Sequence, residues 1–168
     1  MFVPFSSLPS SARVWIFQAH RPLTAGEIAL ANESLRKFTD AWTVHGSPLS
    51  TSYDIRFNQF IILAADESNM SASGCSIDSS VRALKEIGQA LNVDLFDRDQ
   101  VAFNLEGQVR MIPVGKLKEK FSDGTLNADS LTFNNLVTNK SELDERWLTA
   151  ASDTWLKRYL AAGYVKVK

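Results

Sequence analysis

Six consecutive apolar residues, Phe60-Ile61-Ile62-Leu63-Ala64-Ala65, constrain this chain more than any other feature. A strand with one wet face alternates apolar and polar residues. An unbroken run therefore predicts a central strand covered on both faces. Just upstream, Tyr53, Ile55 and Phe57 alternate with Asp54, Arg56 and Asn58, the pattern of a half-buried neighbour. The short Asn58-Gln59 link predicts a hairpin between the two.

Two amphipathic helices supply cover for such a strand. Thr24 and Glu27 form a capping box, followed by Ile28, Ala31, Leu35, Phe38 and Trp42 at helical spacing. His45-Gly46 is expected to close that helix, with Gly46 just past its end. Val81, Leu84, Ile87 and Leu91 form the stripe of the second helix. Ahead of the first helix, Val14-Trp15-Ile16-Phe17 reads as a buried strand. Downstream, Val101-Ala102-Phe103 and Val109-Arg110-Met111-Ile112 flank Glu106-Gly107, a hairpin signal.

Pro113 ends that pair. A short helix is expected from about Lys116 to Phe121, a turn at Asp123-Gly124 and a strand at Leu131-Thr132-Phe133. Ser141 with Asp144 is expected to cap a helix towards Trp147, and Asp153 a last one carrying Leu156, Tyr159 and Leu160. The order strand, helix, strand, strand, helix, strand predicts an α+β fold with a ferredoxin-like split βαβ core (β-α-β-β-α-β). That core covers about residues 12–113, with a mixed C-terminal extension over about 114–168, all in a single domain of 168 residues. Each helix has one apolar stripe, so both are expected on one face of a mostly antiparallel sheet.

Composition narrows the functional classes. Hydrophobic residues make up 45% and charged residues 22%, an ordinary globular balance. The net charge is −1 and no basic run stands out, which argues against nucleic acid as a partner. No apolar run approaches the roughly 20 residues that cross a bilayer, so no membrane partner is expected. The single cysteine suits a reducing compartment, and Met1–Phe5 lacks the basic and apolar regions of a signal peptide. The expected location is the cytoplasm. Two histidines and one cysteine are too few for a structural zinc site, and neither metal nor cofactor is expected. There is no G-x-x-x-x-G-K-[ST] loop, no G-x-G-x-x-G and no G-x-S-x-G. The sequence carries no signal of an oligomeric state.

The segment richest in chemistry is Ser71-Ala72-Ser73-Gly74-Cys75-Ser76-Ile77-Asp78-Ser79-Ser80. It follows the apolar run and Asp66-Glu67, holds the only cysteine and opens the second helix. Small residues at a strand-to-helix turn leave backbone N–H groups free to meet an anion, and the helix dipole favours a thiolate. Ser73, Gly74, Cys75, Ser76 and Asp78 are the expected binding residues for a small anionic ligand. Cys75 is the candidate nucleophile, with His45 as its base and Asp66 bordering the site. Gly74 is expected in a backbone conformation that other residues tolerate poorly. Each residue also has a structural alternative. Cys75 suits a small buried position, Ser73, Ser76 or Asp78 a helix N-cap, and His45 a helix C-terminus. Asp66 and Glu67 suit a solvated turn.

Several short stretches spread along nearly the whole chain bear on family. They include Val3-Pro4-Phe5, Leu8-Pro9, Ala12-Arg13-Val14-Trp15-Ile16 and Pro22-Leu23-Thr24. They continue with Trp42, His45-Gly46, Asp66-Glu67, Ala72-Ser73-Gly74-Cys75-Ser76-Ile77-Asp78, Phe133-Asn134-Asn135-Leu136-Val137 and Glu142-Leu143. In these the chain resembles a family of uncharacterised bacterial proteins typical of the Bacteroidetes. Members often carry the label "ABC transporter ATPase", but this chain lacks the lysine-bearing loop that such chemistry needs. The resemblance implies no activity and no catalytic residue. Two readings of function follow from the residues. One is a small-ligand or anion-binding protein using the Ser73–Asp78 turn, with Cys75 as a thiol. The other is a non-catalytic interaction or structural module in which that turn is packing.

Overall fold

A computed structural model describes residues 1–44, 47–68 and 74–160, and at 44, 47, 48, 75 and 76 it describes the backbone alone. In chain order the elements are β1 (Arg13–Gln18), α1 (Ala25–Ala41), β2 (Thr43–Val44), β3 (Ser47–Pro48), β4 (Thr51–Arg56), β5 (Phe60–Ala65) and α2 (Gly74–Leu91). They continue with β6 (Gln100–Leu105), β7 (Gln108–Pro113), α3 (Leu117–Ser122), β8 (Leu131–Phe133), α4 (Lys140–Arg146) and β9 (Leu148–Ala150). The class is α+β. The chain divides into two compact units, Met1–Asp97 with Leu136–Asp144, and Arg98–Asn135 with Glu145–Lys168. Among the described residues no helix is long and apolar enough to cross a membrane.

The first unit is built on β5. Its six residues are all fully buried, and it sits at the centre of an antiparallel sheet of order β1-β5-β4. Each buried Phe, Ile or Leu in such a strand contributes roughly 1.5–3 kcal/mol. Across the sheet Trp15 and Tyr53 flank Leu63, and Phe17 and Ile55 flank Ile61. These side chains pack against Ala31 and Leu35 of α1 and Leu84, Ile87 and Leu91 of α2, so both helices cover one face. The alternate residues Val14, Phe60, Ile62 and Ala64 are buried too, which accounts for the unbroken apolar run.

The helix ends follow from local chemistry. At the start of α1 the Thr24 hydroxyl accepts from the Glu27 amide, and the Glu27 carboxylate accepts from the Thr24 amide at 2.8 Å. Arg21 grips the same carboxylate in bidentate fashion, at 3.0 and 2.8 Å, and also donates to the Leu91 carbonyl at the end of α2. The first turn of α1 is thereby tied to the last turn of α2. Beyond α2, Asn92 is left-handed, with the Asn92 amide on the Gln89 carbonyl and the Val93 amide on the Gly88 carbonyl. These are the bonds of a Schellman closure.

Four expectations are corrected. First, α1 does not run to His45-Gly46. It ends at Ala41, where Trp42 turns extended and its ring packs on Trp15 and Phe38. Second, Phe57 and Asn58 leave the strand, both with φ +52°, and make a three-residue turn with Gln59. Third, the strand expected as the fourth of the split βαβ core, Val101–Phe103, is in another sheet. Its place beside β1 is taken by residues 138–140, with the Val14 amide on the Thr138 carbonyl and the Lys140 amide on the Ala12 carbonyl, both at 2.9 Å. Fourth, the later caps shift. Asn139, not Ser141, accepts from the Glu142 amide ahead of α4, and Thr154, not Asp153, accepts from the Leu156 amide.

The second unit carries an antiparallel sheet of order β7-β6-β8-β9. The β6–β7 hairpin closes through Glu106 and Gly107, at φ +54° and +80°, the left-handed pair that a tight two-residue turn requires. One face of this sheet buries Phe103 and Ile112 with Leu117, Leu126, Ala151 and Leu156.

Candidate functional site

Two regions bear on function: the opening of α2, predicted from the sequence, and an open cleft in the second unit that the sequence did not mark. At the first, Gly74 is the exposed first residue of α2, and a Cβ added there would meet none of the described residues within 4 Å. The position has no steric need for glycine, contrary to expectation. Cys75 and Ser76 follow it in the first turn, and Asp78 is exposed. Asp66 follows β5 and donates its amide to the Ser50 carbonyl at 2.8 Å. Its carboxylate accepts from the Ser68 amide at 3.0 Å and from the Ser68 hydroxyl, which closes a local turn. Glu67 lies 3.6 Å from the Arg13 guanidinium. Ser73, His45 and the side chains of Cys75 and Ser76 lie outside the described residues. So does the expected meeting of Cys75, His45 and Asp66.

The cleft in the second unit has a volume of about 570 Å³, within the ordinary range for small-ligand sites. The hairpin forms one side: Asn104 and Leu105 from β6, Glu106 from the turn and Arg110 from β7. The loop between α3 and β8 forms the other, with Thr125, Asn127, Asp129 and Ser130, and Leu131 opens β8 beside them. Register explains the approach of the two sides. Asn104 pairs with Val109 on one flank and Leu131 on the other, so the residues before Leu131 run alongside the hairpin tip.

That loop is held in shape by its own hydrogen bonds. Gly124 is left-handed at φ +79°, and the buried Leu126 donates its amide to the Lys120 carbonyl at 2.8 Å. The Asn127 side-chain oxygen accepts from the Asp129 amide, and the Ser130 hydroxyl accepts from the Asn127 amide, both at 2.9 Å. The Ala128 and Ser130 carbonyls accept from the Ser152 and Ala151 amides, at 3.0 and 2.9 Å. Bonds from the Thr125 hydroxyl and amide hold the Asp123 carboxyl below the usual carboxylate range.

The charges on the cleft contrast with this committed framework. Among the described residues, Arg110, Glu106 and Asp129 enter no ion pair. Nearby Lys116 is taken by Glu119 at 2.8 Å and Lys120 by Asp123 at 3.5 Å. The loop backbone is fixed, and the rim presents one guanidinium and two carboxylates that enter no ion pair among the described residues, a set able to meet a charged solute. No group of three or more His, Cys, Asp or Glu side chains able to hold a metal ion occurs among the described residues.

Arg110, Asn127 and Asp129 were not predicted as site residues. The Asn-x-Asp-Ser run marks a structured turn in sequence. Nothing local tells that this turn faces a hairpin some twenty residues earlier. In comparisons with known proteins, no family model matches the chain, nor does any curated protein or solved structure.

Proposed function

We propose that this is a small-ligand-binding protein that takes a polar solute into the cleft between the β6–β7 hairpin and the loop ahead of β8. The observation that carries this reading is the set of charges that enter no ion pair among the described residues, Arg110 and Glu106 on the hairpin and Asp129 on a facing loop whose backbone is fixed by its own hydrogen bonds. A preorganised rim spends little ordering entropy on binding, so a modest number of polar contacts suffices. The single Cys75 fits a cytoplasmic setting.

Thermal unfolding with panels of amino acids, amines, sugars and carboxylates tests this. One class is expected to raise the transition temperature by mass action, and Asp129→Asn is expected to diminish the effect. No stabilisation by any class would overturn the reading.

A second reading retains the anion site at Ser73, Gly74, Cys75, Ser76 and Asp78, with Cys75 as thiol and His45 and Asp66 beside it. It is supported by an 18-residue helix whose first turn carries no acidic side chain to neutralise its positive end.

A further inference from the structure

We infer that the cleft selects a free basic amino acid: a molecule with two positive groups, one carboxylate and an aliphatic stem between them. The inference rests on the cleft being a binding site and adds the class of ligand. Its basis is complementarity. The rim offers one positive and two negative side chains, Arg110, Glu106 and Asp129, none in an ion pair among the described residues. The matching solute carries the inverse set.

Other classes fit worse. A polyanion would meet two uncompensated carboxylates, and like charges at close range are unfavourable. A neutral sugar would take water from all three charged groups and return no opposite charge. A bare divalent cation lacks a sufficient cluster of ligating side chains. The apolar lining favours a stem over a short diamine. Leu131 is 41% exposed at the cleft and Leu105 lies half-buried beside it, so methylene groups have a surface to cover. The Asn104 side-chain amide can donate to the carboxylate or accept from an ammonium, and Asn127, whose oxygen is held by the Asp129 amide, can still donate through its NH2. Arg110 is the group expected to read the carboxylate, because its guanidinium can donate two parallel bonds to it.

The test is a ligand-observed NMR titration of the full chain at fixed ionic strength. The probes are L-lysine, L-norleucine, cadaverine, glucose and citrate, with glycyl-glycyl-L-lysine as a lysine whose α-ammonium is replaced by an amide. L-lysine is expected to bind best, and the peptide, whose lysyl α-nitrogen is a neutral amide, more weakly; the reverse order would overturn the inference. Norleucine lacks the side-chain ammonium and cadaverine lacks the carboxylate, so each is expected to bind more weakly. Exposed charge pairs are each worth a factor of roughly two to five. Arg110→Gln is expected to weaken lysine, while cadaverine, relieved of a like charge, binds no less tightly. Glu106→Gln and Asp129→Asn are expected to weaken lysine and cadaverine alike. Cadaverine or norleucine binding as well as lysine to the unaltered protein would overturn the inference. Binding of glucose or citrate without lysine would overturn it too, while leaving the cleft as a site. If no probe binds and the wider solute panel is silent, the site itself falls.

Discussion

Two glycines of α2 show how little a residue type says without its surroundings. A Cβ at Gly88 would lie 2.8 Å from the Val93 carbonyl oxygen, a backbone atom fixed by the closure of the helix. Overpacking of this kind costs roughly 1–3 kcal/mol. Alanine would return roughly 1 kcal/mol through helix propensity, so Gly88→Ala is expected to lose on the order of 1 kcal/mol in urea unfolding. Gly74→Ala, facing open space, is expected to change stability by no more than a few tenths of a kcal/mol. Equal stability of the two variants would contradict this assignment. The sequence drew attention to Gly74 because it neighbours a cysteine. Gly88 went unremarked because the carbonyl it accommodates becomes close only once Asn92 turns left-handed. At Glu27 the residue scale also sets a pH dependence. Hydrogen bonds from Arg21, then from the Thr24 amide, hold its carboxyl at about 2 against an ordinary 4.5. The unfolded chain therefore takes up this proton first. The stabilisation is complete above about pH 4.5 and fades as the pH falls to about 2. Glu27→Gln is expected to lower stability at neutral pH and to flatten the acid limb over that window. An unchanged acid limb would contradict the assignment.

Among the elements, what is governed by neighbours in sequence was legible. The Thr24–Glu27 box, the tight Glu106-Gly107 turn, the strand at Leu131–Phe133 and the end of β7 at Pro113 all stand where the residues put them. Caps near clusters of good capping residues were misread by one or two positions. Around α4, Asn139, Ser141 and Asp144 compete, and Asn139 wins because its carbonyl side chain reaches the Glu142 amide at 2.9 Å while Glu142 reaches back to the Thr138 amide. Asn139→Ala is expected to cost roughly 0.5–2 kcal/mol, and Ser141→Ala much less. Urea midpoints at constant slope check it, and the reverse order would restore Ser141 as the cap. The Trp42 exit of α1 was missed for a different reason. Its ring packs on both Trp15 and Phe38, and that aromatic contact draws the chain out of the helix before the glycine is reached.

In the whole molecule, β1, β4 and β5 and the shared helix face followed from apolar patterning, since each buries a stripe that is visible in sequence. The fourth strand did not, because which segment occupies the free edge of β1 is a competition between distant stretches. Residues 138–140 take it, and β6 joins another sheet. The cleft was illegible for the same reason, being made where the hairpin around Glu106 meets a loop near Asp129. Phosphate-loop nucleotide chemistry, by contrast, depends on a contiguous motif, and the sequence has none. Purified protein is expected to release no phosphate from ATP. Lys116, beside Gly115, is engaged with Glu119. Sustained hydrolysis abolished by Lys116→Ala would overturn that expectation. The proposed site for a small charged solute lies between hairpin and loop. A titration of the isotope-labelled full chain with L-lysine, followed through its backbone amide resonances, addresses it most directly. Progressive, saturable shifts are expected at Asn104, Glu106, Arg110, Asp129 and Leu131, with Ile62 and Leu84 of the first unit unmoved. Shifts gathered instead on Gly74 to Asp78, or no saturable shift at all, would contradict this placement.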